Sequence, residues 1–261
     1  MIGVFDSGIG GLTVVRALME RLPGFDLTYL GDTARTPYGS KSKQTVMRYA
    51  VENTAFLLAR GARAIVLACN TASSFAPAML RERFQVPIFE VITPTAEQAV
   101  ACTRRARIGI IGTRATVNSG IYTRIIESLR PDCRTFARAC PLLVPLVEEG
   151  WLTKPETAMI VKKYLRPLKI KQIDTLILGC THYPLLQGLI QAKIGRSVQV
   201  IDSCGGVARA VATYVQRHPS AVNAWPREGA YRFFVSDTTP QFETIAQHIL
   251  KRSIRLEQVQ I

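Results

Sequence analysis

The sequence predicts an α/β protein of two pseudo-symmetric domains, each a mostly parallel sheet flanked by helices. Runs rich in Val, Ile and Leu alternate with longer amphipathic segments, which is the pattern of strands and helices in parallel sheets. At 261 residues the chain is near the length at which a single core stops growing. The stretch "IGVFDSGIGGLTVVRALME" has the same strand, small-residue turn and helix plan as "IGIIGTRATVNSGIYTRII" from Ile108.

The individual elements follow from the period of the apolar residues. Short apolar runs bounded by turn residues predict strands at Ile2–Phe5, Leu27–Leu30, Ala64–Ala68, Ile88–Glu90, Ile108–Ile111, Thr175–Leu178, Val198–Ile201 and Tyr231–Val235. Apolar residues spaced three and four apart predict helices near 11–22, 42–60, 72–83, 94–103, 115–128, 155–165, 184–193, 205–217 and 240–250.

The C-terminal tail from about Ser220 offers one strand and one helix, too little to bury a core of its own. We therefore expect the tail to return to the first domain and make it discontinuous. The expected domains are 1–94 with 209–261, carrying Cys69, and 95–208, carrying Cys180. Ligands of open α/β sheets bind at the carboxyl ends of the strands, so the cleft between the domains is the expected site.

Composition narrows the class of protein. An apolar content of 48% and a charged content of 20% predict a globular protein. The chain enters an apolar strand at once, and no apolar run approaches the roughly 18 residues of a membrane helix, so we expect a soluble, cytoplasmic protein without membrane contact. The six cysteines should be reduced thiols; without a C-x-x-C pair or clustered histidines, no metal is expected.

The net charge of +14 permits two interpretations. A positive surface attracts anions, nucleic acid among them. The arginines between residues 103 and 140 are spread over several predicted elements, however, and no basic-aromatic stripe, zinc finger or RNA-recognition signature accompanies them. A solvated basic surface is favoured over a nucleic-acid partner.

Two cysteines occupy equivalent places in the two halves. Cys69 follows "AIVLA", Cys180 follows "TLILG", and each precedes small polar residues that begin a predicted helix. A helix N-terminus lowers the pKa of a cysteine from its usual value of about 8.5, so we expect both sulfurs to ionise. A single cysteine at a strand end is usually a small apolar core residue, but the paired placement favours chemistry. The remaining cysteines, which we expect to be incidental and without this strand-end context, are Cys102, Cys133, Cys140 and Cys204.

Two thiols on opposite sides of a bound molecule can invert a stereocentre. A thiolate removes a proton from one face of a carbon, and a thiol supplies one to the other face. This reaction requires neither metal nor cofactor. Pyridoxal phosphate, the usual alternative, would need a desolvated lysine, and every lysine here lies in a polar or helix-surface context.

The first turn, "FDSGIGGLTV", does not match the common glycine motifs. Thr13 stands where a dinucleotide fingerprint needs its third glycine, and Phe5 stands where a nucleophile elbow needs glycine before Ser7. Its exposed N–H groups beside Asp6 and Ser7 could hold the carboxylate and ammonium of an amino acid. The alternative is that Asp6 and Ser7 cap the following helix.

Five motifs in this order and spacing, "VFDSGIGGLTV", "YLGDTARTPYG", "ACNTAS", "VPLVEEG" and "GCTHYPLL", resemble the glutamate racemases, the cofactor-independent branch of the aspartate/glutamate racemase superfamily. The resemblance runs from Ile2 to about Ser203. It implies an isomerase that converts L-glutamate to D-glutamate for peptidoglycan synthesis, and thereby serves cell-wall biogenesis and cell shape.

The resemblance also implies roles for individual residues. Cys69 and Cys180 would be the acid/base thiols, assisted by Asp6 and His182. The implied substrate contacts are Asp6, Ser7, Pro37, Tyr38, Gly39, Asn70, Thr71, Thr113, Thr116, Thr181 and His182. Asp32 and Glu148 match further acidic positions of the family; Asp32 could instead be a turn residue and Glu148 a surface residue.

Two alternative functions, the regulation and the assembly give further expectations. An aspartate racemase is the nearest alternative, but its second motif usually reads GCTE, and His182 here argues against it. A basic nucleic-acid-binding protein on a racemase fold would leave the paired cysteines unexplained. Because the first strand begins at the N-terminus, we expect no activation by a cell-wall precursor; family members often form homodimers, but the sequence identifies no interface.

Overall fold

The computed structural model describes residues 1–261 and contains two sheets in which every strand pair is parallel. The strands are β1 Ile2–Asp6, β2 Leu27–Gly31, β3 Ala64–Leu67, β4 Ile88–Glu90, β5 Arg107–Gly112, β6 Arg134–Ala139, β7 Thr175–Gly179, β8 Gln199–Asp202, β9 Tyr231–Val235 and β10 Leu256–Gln258. Their order is β10-β9-β2-β1-β3-β4 in the first sheet and β6-β5-β7-β8 in the second. The predicted fold class is confirmed.

Helices cover both sheets. They are α1 Leu12–Arg21, α2 Lys43–Ala59, α3 Asn70–Ser73, α4 Pro77–Arg83, α5 Ile92–Cys102, α6 Arg114–Ser119, α7 Ile121–Leu129, α8 Leu143–Glu148, α9 Pro155–Ile170, α10 Gln187–Ile194, α11 Cys204–Arg217, α12 Pro219–Val222 and α13 Pro240–Leu250. Three short 3₁₀ helices lie at Thr33–Arg35, Tyr38–Ser40 and Tyr183–Leu186. No helix combines the length and the apolar character that crossing a bilayer requires.

The sequence prediction missed two strands, both at sheet edges. β6 has the sequence "RTFARA" and is mostly exposed or half-buried, so it lacks the apolar run that reveals a buried strand. β10 is only three residues long. Its neighbour β9 pairs with β2, with Tyr231 opposite Leu27, so the tail extends the first sheet. The domain boundaries at 94/95 and 208/209 remain a prediction that is compatible with this sheet membership.

Some helices differ from the prediction because of local breakers. The helix expected at 115–128 is divided into α6 and α7 at Gly120, whose φ of +64° is a left-handed conformation that favours glycine. The helix expected at 72–83 is divided into α3 and α4, and α4 begins at Pro77. The short α8 was not predicted because it contains Pro145.

The largest apolar cluster joins the two halves. Ile2 and Val4 of β1 belong to the same buried cluster as Ile108 and Ile110 of β5, whereas Ile111 points to a separate cluster on the outer face of the second sheet. This alternation is the two-residue period of a strand. The shared core holds the two sheets against each other, and the carboxyl ends of β1, β3, β5 and β7 reach one cleft.

Candidate active site

Cys69 lies between β3 and α3 and is 5% exposed. It is the N-cap residue of α3, and the N–H of Ala72 donates to its sulfur at 3.5 Å. The Cys69 thiol donates to the hydroxyl of Ser7 at 3.5 Å. The strand end and the one-turn helix thus fix the sulfur beside the turn that follows β1.

Cys180 directly follows β7 and is 6% exposed. Its Sγ lies 3.9 Å from Nδ1 of His182, and Nε2 of His182 lies 3.2 Å from Oε1 of Glu148, the last residue of α8. Carboxylate, imidazole and sulfur therefore form a continuous chain. Glu148, for which the sequence allowed a surface role, is placed in contact with a predicted site residue.

Both sulfurs line one cavity between the sheets. Its walls are Ser7, Thr36, Pro37, Tyr38, Gly39, Cys69, Asn70, Thr71, Thr113, Val144, Gly179, Cys180, Thr181 and His182. The cavity is about 20 Å³, which is room for a single water molecule. An amino acid needs several times this volume, so its entry requires the walls to separate.

Contacts between the halves account for this narrow cleft. The hydroxyls of Thr71 and Thr113, one from each half, are 2.9 Å apart. A Cβ atom added to Gly39 would lie 2.4 Å from the Cβ of Thr113, so only a glycine permits this approach. The structure therefore has a closed cleft whose rims touch.

Asp6 is completely buried next to the cavity but does not line it. Its carboxylate accepts the N–H groups of Gly11 at 2.9 Å and Gly8 at 3.3 Å, and the hydroxyl of Thr181 at 3.3 Å. Burial raises the pKa of Asp6, against the opposing influence of the His182 charge and these N–H groups. Asp6 thus organises the turn before α1 and links that turn to the segment after Cys180. The alternative that Asp6 and Ser7 cap α1 is wrong, because the N-cap residue of this helix is Gly11 and no side chain caps it.

The two thiols differ in their electrostatic surroundings. Burial, and secondly the charge of Asp6, raise the pKa of Cys69 to about 12. The expectation that a helix N-terminus lowers this pKa is wrong for Cys69, because the single turn of α3 offers one weak N–H contact that does not offset desolvation. Cys69 is therefore a protonated thiol at neutral pH in the closed cleft.

Whereas the surroundings of Cys69 favour its neutral form, those of His182 favour its charged form. Burial alone would lower its pKa, but the hydrogen bonds with Cys180 and Glu148 outweigh burial and raise the pKa of His182 well above its ordinary value. The Glu148 carboxylate and the Cys180 sulfur thus favour the positively charged form of the imidazole, which faces the sulfur of Cys180. Positive charge beside a cysteine stabilises a thiolate.

Asp32 lies outside the cavity, behind Tyr38. It accepts hydrogen bonds from the hydroxyl of Tyr38, from Nε of Arg35 at 2.7 Å and from Oγ of Ser236 at 3.0 Å. Asn53 donates to the same Tyr38 hydroxyl at 3.0 Å. Asp32 therefore holds the segment Pro37–Gly39 against the cleft, and its carboxylate does not reach the cavity.

The side chain of Asn70 is held by the second half. Tyr122 donates its hydroxyl to Oδ1 of Asn70 at 2.7 Å, and Nδ2 of Asn70 donates to Oγ of Ser203 at 3.1 Å. All three residues are buried. The residue next to Cys69 is thus positioned across the cleft, a role for Tyr122 and Ser203 that no sequence signal indicated.

Most predicted substrate contacts line the cavity; Asp6 and Thr116 do not. Thr116 supports the wall from behind, with its hydroxyl 3.2 Å from that of Thr71. Sequence reasoning missed Thr36, Val144 and Gly179, although Thr36 and Gly179 directly precede predicted site residues. The hydroxyl of Thr36 is buried without a hydrogen-bond partner and is available to a ligand.

Two other cysteines have the strand-end context that the sequence analysis denied them. Cys140 directly follows β6, and Cys204 opens α11 just after β8. That prediction is wrong because β6 was not recognised and the residues between β8 and α11 were taken as a longer turn. Neither sulfur lines the cavity: burial raises the pKa of Cys140 to about 12, and Cys204 donates to the hydroxyl of Thr13 at 3.2 Å. A shared cavity, and not the strand end alone, distinguishes Cys69 and Cys180.

Comparison with known proteins gives a consistent result over the whole chain. Residues 12–211 match the model of the Asp/Glu/Hydantoin racemase family. A glutamate racemase from Syntrophus aciditrophicus is 48% identical over 100% of this chain and 96% of its own length.

Solved structures of glutamate racemases resemble this chain over nearly its whole length. A glutamate racemase isoform from Bacillus anthracis is 36% identical, with a TM-score of 0.94 over 100% of this chain and 97% of the other. A glutamate racemase from Francisella tularensis in complex with D-glutamate is 36% identical, with a TM-score of 0.91 over 99% of this chain and 96% of the other.

Proposed function

Because the chain belongs to the Asp/Glu/Hydantoin racemase family, we propose that Cys69 and Cys180 interconvert the glutamate enantiomers from opposite faces of the α-carbon. The protein is an amino-acid racemase, and its substrate is glutamate. The known role of the family is to supply D-glutamate for peptidoglycan. The observation that carries the two-thiol proposal is that both sulfurs line one narrow cavity between the two sheets.

The reaction begins with the Cys180 thiolate on one side of the substrate. The sulfur removes the α-proton of one enantiomer, and the electron pair of the C–H bond is delocalised toward the α-carboxylate. The Cys69 thiol then donates its proton to the opposite face of the same carbon. One proton is taken and one is given, so the product is the other enantiomer, with Cys180 protonated and Cys69 ionised.

His182 and Glu148 prepare Cys180 for the role of base. The His182 imidazolium stabilises the thiolate at Cys180, and the Glu148 carboxylate accepts a hydrogen bond from the Nε2–H group and thereby fixes the ring.

The reverse reaction requires Cys69 to act as base, although its pKa is about 12 in the closed cleft. A substrate ammonium bound near Asp6 and Ser7 would counter the Asp6 charge, which is one cause of that high pKa. Substrate binding would therefore favour ionisation of Cys69.

The lining of the rest of the cavity suits a small amino acid with two carboxylates. Hydroxyl groups of Thr71, Thr113 and Thr181 and the unpartnered hydroxyl of Thr36 face or border it. Hydroxyl groups can donate to carboxylate oxygens without placing fixed charges near the carbanion. We propose that these groups hold the two carboxylates of glutamate.

Chiral chromatography of L-glutamate incubated with the purified protein tests the proposal. Conversion to an equal mixture of enantiomers is expected, while L-aspartate under the same conditions should remain unchanged. Cys69→Ala and Cys180→Ala should each abolish racemisation. Full activity in either variant would overturn the two-thiol mechanism. Faster turnover of aspartate than of glutamate would overturn the assignment of glutamate as the substrate.

A cytoplasmic location and a homodimeric state are further parts of the proposal, based on the family resemblance. Cell fractionation with an antibody to the protein tests the location. Light scattering tests the assembly, with twice the chain mass as the expected result and the single-chain mass as the contrary one.

A further inference from the structure

A groove of about 680 Å³ lies at the amino ends of β5, β7 and β8, away from the cleft. Residues of three turns form it: one between α5 and β5, one between α9 and β7, and one between α10 and β8. The lining residues that carry charge or fix the turns are Arg104, Arg105, Asp174, Gln191 and Arg196. Since β5 has six residues, roughly 20 Å of sheet separates this groove from the cavity between the thiols.

The groove carries more positive than negative charge. Three arginines line it, and none of them forms an ion pair. The only carboxylate, Asp174, already accepts the Thr103 hydroxyl at 2.6 Å and the backbone N–H groups of Arg104 and Arg105 at 2.7 and 2.6 Å. The guanidinium groups of the three arginines therefore remain free to bind an anion.

The two turns that present these arginines are held in fixed positions. The contacts of Asp174 fix the turn at residues 103–105. The Nε2 group of Gln191 donates to the carbonyls of Gly195 at 2.9 Å and Val198 at 3.0 Å, which fixes the turn that carries Arg196. Positive groups on preorganised turns lose little backbone entropy when a ligand binds.

We infer that this groove binds the phosphate or diphosphate group of a small molecule, at a site separate from the racemase centre. The planar guanidinium group pairs with two oxygens of a phosphate, and three such groups suit an anion with two or three negative charges. The volume falls in the range of small-molecule sites. This site would also account for part of the excess of 33 basic over 19 acidic residues.

A nucleic-acid strand is a poorer fit to the same groove. Single strands bind to proteins through stacking of bases on aromatic side chains as well as through charge. None of the residues that line this groove is aromatic. A compact anion uses the three arginines without needing a stacking surface.

Isothermal titration calorimetry with inorganic pyrophosphate at low ionic strength tests the inference on the intact protein. The site variant carries Arg104→Gln, Arg105→Gln and Arg196→Gln. The control variant carries Arg63→Gln, Arg166→Gln and Arg217→Gln, which removes the same charge from exposed arginines that also form no ion pairs. Circular dichroism melts of both variants check that they are folded.

Saturable binding of one pyrophosphate by the wild type and the control, weakened at least about tenfold in the site variant, is the expected result. Absence of binding to the wild type, or equal weakening in both variants, would overturn the inference. Binding of a short DNA duplex that depends on the same arginines, without pyrophosphate binding, would also overturn it, in favour of nucleic acid. Racemase activity is measured in parallel, so a failed site leaves the proposed function untouched.

Discussion

The Nε2 atom of His182 lies 3.2 Å from Oε1 of Glu148, so a carboxylate from α8 supports the imidazole that faces Cys180. Cys69 has no such partner; its neighbours are the Ser7 hydroxyl and, more distantly, the Asp6 charge. Cys180 and Cys69 therefore have different charged and hydrogen-bonding neighbours, although the two halves of the cleft are pseudo-symmetric. We propose that in the closed structure Cys180 acts as the base and Cys69 as the acid.

Glu148→Gln tests the support of His182. Loss of the carboxylate removes one cause of the raised His182 pKa, so this pKa falls and the imidazole loses its proton at a lower pH. We expect kcat/KM to decrease at least about tenfold at neutral pH, and the alkaline limb of its pH profile to move to lower pH. The exposed neighbour Glu149 supplies the control, Glu149→Gln. An unchanged profile in Glu148→Gln would contradict the proposed role.

Asp6→Asn tests the cause of the high Cys69 pKa. Removal of the negative charge favours the thiolate, so the pKa of Cys69 should fall below about 12 and its alkylation should begin at lower pH. Mass spectrometry of iodoacetamide-treated protein measures this. Cys140 is an internal control, because its pKa is also raised by burial, but Asp6 is not among the causes. Unaltered Cys69 alkylation in the variant would contradict the electrostatic account.

Tyr122→Phe tests the contact across the cleft. The variant keeps the aromatic ring but leaves Oδ1 of Asn70 buried without its donor, which costs about 1–3 kcal/mol of unfolding free energy. Because Asn70 adjoins Cys69, we expect a decrease in kcat larger than the change in KM. Urea unfolding and steady-state kinetics measure the two effects. The control is Tyr49→Phe, because the Tyr49 hydroxyl has no hydrogen-bond partner within the protein and the change keeps the ring that packs on Tyr38. Equal kcat in both variants would contradict the positioning role.

Gly39→Ala tests closure of the cleft. The added Cβ would lie 2.4 Å from Cβ of Thr113 in the other half, so the rims could not meet as they do here. We expect a large loss of kcat/KM with little change in the melting temperature. The helical Gly188 has open space around its Cα, and Gly188→Ala should keep full activity. Wild-type kinetics in Gly39→Ala would show that closure is not required.

The sequence revealed the features that arise from local pattern. Buried strands such as β3 and β7 have continuous apolar runs, so the positions of Cys69 and Cys180 after them were predictable. The edge strand β6 has no such run, and its omission led to the wrong description of Cys140.

Features that depend on tertiary packing could not be predicted from the sequence pattern. The desolvation that raises the pKa of Cys69, and the hydroxyl of Tyr122 that reaches Asn70, both depend on how the two sheets pack together. The roles of the substrate-contact residues stay predictions, since burial and cavity lining give their position but not their ligand contacts.

Proton exchange in heavy water tests most directly whether the thiols act on opposite faces. In Cys69→Ala, Cys180 remains, so deuterium should enter the α-position of one glutamate enantiomer without inversion. In Cys180→Ala, Cys69 remains, and the opposite enantiomer should exchange. Proton NMR of each enantiomer with each variant measures this. Opposite enantiomer preferences are the predicted result, and exchange of the same enantiomer by both variants would contradict the two-face mechanism.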